Sequence, residues 1–151
     1  MKILNLPKFN KELINLPFRI DDNKVYVNYF DEGVQAGFPS PAEDFKEIPL
    51  SLDEKYLQNP QATYLIKVAG NSMYPTLQIG DILIVKSDQE FGDSDIGIVS
   101  VNQTDFTVKR FDKIKGLEYE LKQEKEFPNI ELNEEDTLIC LGVVKQLIRD
   151  L

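Results

Sequence analysis

The chain has no histidine among its 151 residues and a single cysteine, Cys140. A serine hydroxyl is a poor nucleophile until a base takes its proton, and histidine is the usual base. A Ser-His-Asp triad within the chain is therefore excluded, as are histidine metal sites. One cysteine forbids a disulfide within one chain. Inside Leu138-Ile139-Cys140-Leu141 it reads as a small core side chain suited to a reducing cytoplasm. Long apolar runs are also missing: none could cross a bilayer, and Met1 to Phe9 lacks the apolar core of a signal peptide, so a cytoplasmic location is expected. Basic charge is scarce. Residues 1–36 hold five basic and five acidic side chains, so the net charge of −9 arises in residues 37–151, with 12 basic against 21 acidic. An acidic body is repelled by phosphates, and direct DNA binding is not expected.

What is present suits one small globular domain, with 42% hydrophobic and 10% aromatic residues and no repeats. Its most informative stretch is Ala69-Gly70-Asn71-Ser72-Met73-Tyr74-Pro75-Thr76-Leu77, followed by Gly80-Asp81 and the apolar run Ile82-Leu83-Ile84-Val85. Thr63 to Val68 alternates like a strand with one buried face, so Ser72 sits where a strand runs out. Gly70 and Asn71 tolerate unusual backbone conformations and Pro75 turns Tyr74 from helix, which predicts a tight, extended turn. Ser72 is then either a perched nucleophile or an ordinary turn serine.

Without histidine, the available base is lysine. Lysine titrates near ~10.4 in water, but burial can lower that by up to ~3–5 units and leave a neutral amine. The candidate is Lys109 in Asp105-Phe106-Thr107-Val108-Lys109-Arg110-Phe111, a strand-like run that places Thr107, Lys109 and Phe111 on one face. Taken alone, Lys109 could equally be an edge-strand lysine that blocks aggregation.

The strands expected from pattern are Tyr64–Ala69, Asp81–Lys86, Gly97–Val101, Phe106–Phe111, Tyr119–Gln123 and Leu138–Leu147, with a further short one over Lys24–Phe30. A short helix over Ser51–Leu57 has a serine cap and early acidic residues. Leu4-Asn5-Leu6-Pro7 and Asn15-Leu16-Pro17 read as breaks in a loosely patterned N-terminal arm, which cannot supply a helix-turn-helix. Val34 to Pro41 reads as a linker. Its Ala36 and Gly37 let a backbone lie close to a nucleophile, and Pro39 and Pro41 keep the chain extended. The acidic cluster Glu131 to Asp136 reads as a solvated loop.

In order, Gly70-Asn71-Ser72-Met73, Gly80 to Val85, Phe106 to Arg110, the segment Ala36 to Asp44, and Glu135-Asp136-Thr137-Leu138 with Leu141-Gly142-Val143-Val144 resemble the peptidase region of the LexA/UmuD family of self-cleaving proteins. The resemblance covers roughly residues 36–148 and is stronger to the UmuD branch, accessory subunits of DNA polymerase V, because no DNA-reading module precedes it. It implies a mostly-β fold, LexA/signal-peptidase-like, of short, strongly curved strands with a short helix, preceded by an extended N-terminal arm. It further implies Ser72 as nucleophile, Lys109 as base, the backbone amides of Ser72 and Met73 as oxyanion donors, and Ala36-Gly37 as the cleaved bond. The arm, residues 1–36, would be removed from a peptidase and dimerisation domain, residues 37–151. Implied partners are a homodimer mate, a RecA filament on single-stranded DNA as co-protease, and the catalytic subunit of polymerase V. No cofactor or metal is implied. Ala36 matches LexA-type repressors, whereas enterobacterial UmuD has cysteine there. Asn71 stands where UmuD members often have Asp, and the arm is longer than in enterobacterial UmuD. Two other readings stay open: a signal-peptidase-like endopeptidase, whose box Ser72-Met73-Tyr74-Pro75-Thr76 fits, and a non-catalytic polymerase-binding subunit with a vestigial dyad.

Overall fold

The computed structural model describes residues 8–18, 23–30, 47–113, 116–118 and 132–151. The expected strand Tyr119–Gln123 and the bond Ala36-Gly37 lie outside the described residues. The chain divides into two compact units, one of residues 1–18 with 61–151 and one of residues 19–60. Within the smaller unit, β2 (Val27–Phe30) pairs antiparallel with β3 (Glu47–Leu50), and the helix α1 (Leu52–Tyr56) follows. Ser51 takes the extended backbone of a helix cap, but its hydroxyl makes no capping hydrogen bond. The Tyr26 hydroxyl instead hydrogen-bonds to the Glu54 carboxylate of the first helical turn.

The strands of the larger unit are β1 (Leu13–Leu16), β4 (Thr63–Val68), β5 (Ile82–Lys86), β6 (Ile96–Val101), β7 (Thr107–Asp112), β8 (Gly116–Glu118) and β9 (Leu138–Ile148). They form one seven-stranded sheet in the order β1-β4-β5-β9-β6-β7-β8, every pair antiparallel. The fold is mostly β with a strongly curled sheet, as expected. The curl has a visible cause in β9. Its register slips once against β5, leaving Lys145 extra, and once against β6, leaving Leu141 extra. Each such bulge bends a strand and deepens its twist. Gly142 sits between the two slips, where a Cβ would lie 2.8 Å from the Lys86 carbonyl oxygen, so the close strand approach requires glycine.

Ile66, Val68, Leu83, Val85, Ile98 and Val108 fill the core with Leu13, Met73 and Leu77. Leu13 is a departure from the sequence pattern. The stretch Asn15-Leu16-Pro17, read as a break, belongs to or adjoins β1, whose Leu13 and Ile14 pair with Val68 and Lys67. A four-residue run ended by proline does not advertise a strand, but the open edge of β4 offers a ladder of unpaired groups that this segment satisfies. Cys140, expected in the core, is half-buried, with its thiol donating to the Gly142 carbonyl.

Candidate active site

β4 ends at Val68 and delivers the chain into the loop that carries Ser72. That loop is held at both ends. The Val68 amide donates to the Asp81 carbonyl and the Gly80 amide to the Val68 carbonyl, each at 2.8 Å. Inside it, the Tyr74 amide donates to Asn71 and the Leu77 amide to Met73, so the turn is coiled and hydrogen-bonded, and the expected extended form is corrected. Met73 and Leu77, four residues apart on this coil, both drop into the core, which fixes Ser72 between them and the strand. Asp81 ties the loop's base. Its Oδ2 accepts from the Gln78 amide at 2.8 Å, and Arg149 grips both its oxygens at 2.7 Å while reaching the Thr76 carbonyl at 3.3 Å. The Arg149 hydrogen bonds hold the Asp81 carboxyl below its usual range.

β7 brings in Lys109, whose side chain is 1% exposed and lies on the same face as Thr107. Its Nζ is 3.5 Å from Ser72 Oγ, 3.1 Å from Thr107 Oγ1 and 2.7 Å from the Val108 carbonyl oxygen. Burial pushes the Lys109 ammonium down from 10.5 to about 8, with the nearby Glu12 carboxylate partly opposing the fall. A lysine in that position has a neutral fraction of about a tenth at neutral pH, enough to act as a base. The structure thus brings Ser72 and Lys109 together, and both are almost fully buried.

No local pattern marks Glu12 as part of the site. The segment Lys8–Asn10 runs beside the start of β7, with the Phe106 amide donating to the Lys8 carbonyl at 2.8 Å and the Asn10 amide to the Phe106 carbonyl at 2.9 Å. A turn then leads into β1, and the Glu12 side chain enters the site from that turn. Its Oε2 accepts from Ser72 Oγ at 2.8 Å and from Thr107 Oγ1 at 3.1 Å, and lies 3.7 Å from Lys109 Nζ. The cleft beside it, about 470 Å³, is lined by Phe9 to Glu12 on one side and by Asp105, Thr107 and Lys109 on the other.

A buried serine hydroxyl thus lies beside a buried lysine of lowered basicity, on the loop after one strand and on another strand of a curled β-sheet. Residues 28–145 match the peptidase S24-like family, and the chain belongs to that family, the LexA/UmuD type. Protein ImpA of Salmonella typhimurium is 39% identical over 91 residues, 60% of this chain and 61% of that protein. Protein MucA of Escherichia coli is 34% identical over 85 residues, 56% of this chain and 58% of the other. The LexA repressor of Acidithiobacillus ferrooxidans is 36% identical over 120 residues, covering 77% of this chain and 58% of the repressor. The matched region thus spans about three fifths of the length of these relatives. Among the described residues no helix is long and apolar enough to cross a membrane.

Proposed function

We propose that the protein is a self-cleaving serine endopeptidase of the UmuD kind, acting in the response to DNA damage. The observation that supports this most is Lys109 Nζ, buried and of lowered basicity, 3.5 Å from the Ser72 hydroxyl. Neutral Lys109 takes the Ser72 proton as Oγ bonds to the Ala36 carbonyl carbon, and the amides of Ser72 and Met73 hold the oxyanion. The Ala36–Gly37 bond then breaks, Lys109 returns the proton to the Gly37 nitrogen, and water hydrolyses the ester on Ser72. Residues 1–36 are the released arm and residues 37–151 the working domain, a cytoplasmic homodimer. A RecA filament on single-stranded DNA stimulates the cut by favouring the state in which the linker lies in the cleft, supplying no catalytic group. The processed form serves the catalytic subunit of an error-prone translesion polymerase, without itself binding DNA.

Intact-mass measurement after incubation at neutral and alkaline pH tests this, beside Ser72→Ala and Lys109→Ala. A fragment beginning at Gly37, formed faster as pH rises and in the wild type alone, is the expected result. A chain that stays whole at every pH and with RecA filaments added sinks the reading. It would favour a binding subunit with an idle dyad, a reading that draws on the Ser72–Glu12 hydrogen bond.

A further inference from the structure

The hydrogen bonds around Ser72 run in the wrong sense for attack. An ionised carboxylate can only accept, so the proton of the Ser72 hydroxyl points at Glu12, and the serine oxygen is left to accept from Lys109. Lys109 meanwhile faces oxygen acceptors, Val108 O and Thr107 Oγ1, at 2.7 and 3.1 Å, which suits an ammonium. Activation needs the reverse, with the serine proton on a neutral amine. Glu12 holds this state from a built position. Its side chain is 15% exposed, and its backbone carbonyl accepts from the Ala69 amide. Its Cγ lies so near Gly70 that a Cβ there would stand 2.6 Å away. The Lys8–Leu16 segment that carries it is fastened on both flanks of the cleft, to Phe106 and to β4.

We infer that Glu12 is a positioning residue which restrains the dyad: it draws the Ser72 proton away from Lys109 and favours the charged amine, and Ser72 becomes nucleophilic when the Lys8–Leu16 segment leaves β4. This rests on the self-cleavage reading for its consequence, but not for its geometry. The charged groups that line the cleft with Lys109 are Glu12, Lys11 and Asp105, while Lys67 of β4 and Arg110 and Asp112 of β7 lie on the adjoining strands outside that lining. Of these, Glu12 supports the lysine charge.

The test is Glu12→Gln in the full chain, which keeps shape and removes charge. Two readouts separate the ideas. Self-cleavage followed by intact mass should quicken about fivefold at neutral pH, with little change above pH 9, where Lys109 is neutral in either chain. Independently, ¹³C-lysine NMR on the uncut Ser72→Ala background, with and without Glu12→Gln, should show the Lys109 titration midpoint fall by about one unit. A midpoint that moves in a chain that never cuts upholds the Glu12 role and sinks the peptidase reading alone. An unmoved midpoint overturns the inference. So does cleavage that slows in Glu12→Gln, since that would make Glu12 a helper of the reaction.

Discussion

Two carboxylate–cation pairs lie within one unit and differ in which partner is buried. In Asp81–Arg149 the acid is buried and the base reaches solvent, the contact is 2.7 Å at both oxygens, and the carboxyl is held below its usual range. In Glu12–Lys109 the base is the buried partner, the separation is 3.7 Å, and the base is lowered to about 8. A planar guanidinium matches a carboxylate at two points and keeps its charge under any condition, so the first pair is a fastening. An ammonium on a flexible stem gives up its proton once desolvated, so the second pair is poised to change state. The difference lies in charge cost, since both are ion pairs by distance. The fastened pair holds the loop that carries Ser72, and the poised pair sits at its hydroxyl.

That contrast is broken most severely at the dyad. Ser72→Ala and Lys109→Ala should each lower self-cleavage by about a thousandfold or more, read as the rate of fragment release by mass. The same Lys109 should carry a stability penalty that the clamp does not. Its pKa is lower in the folded state, about 8 against 10.5. The unfolded chain therefore binds more protons between those values, and folding stability rises with pH across that window. The penalty below pH 8 is about 3 kcal/mol. Lys109→Met should accordingly be more stable than the wild type in urea at pH 7, with the gap closing as pH approaches 10.5.

At the clamp the sign reverses. Asp81→Ala strands the Gln78 amide and the Arg149 guanidinium and should cost about 1–3 kcal/mol in urea denaturation at pH 7. Because the Asp81 pKa is depressed, the stability it contributes is full above its unfolded value and fades as acid protonates the folded carboxyl. The mutant and wild-type curves should therefore converge at low pH. The smallest effect belongs to Thr107→Val, which removes one acceptor from Lys109 and one donor from Glu12. Losing the acceptor disfavours the ammonium, and cleavage at neutral pH should rise by no more than about threefold.

How much of this was readable beforehand depends on how far apart the cooperating residues lie. β4, β5, β6, β7 and β9 fall within a residue or so of the pattern, because alternation marks a strand with one buried face. β1, β3 and β8 escaped it: each is four residues or fewer, proline follows β1, and Pro49 interrupts β3. The bulges at Leu141 and Lys145 were equally silent, since an extra residue in a mixed apolar run breaks no visible rule. At the site, Ser72, Met73 and Lys109 were legible as residue types on the right local structures, whereas Glu12 and Arg149 were not.

Composition by itself decided the kind of chemistry open to this chain: with no histidine, a serine nucleophile has lysine to turn to, and that holds whatever the fold. Local pattern decided that Ser72 follows a strand and that Lys109 lies on one. The state of the pair was decided by tertiary structure alone. The basicity of Lys109 comes from the sheet that buries it, and the direction of the Ser72 proton from a carboxylate 60 residues away in the chain. Solvation and long-range strand pairing set both, and neither is a property of any short window of sequence.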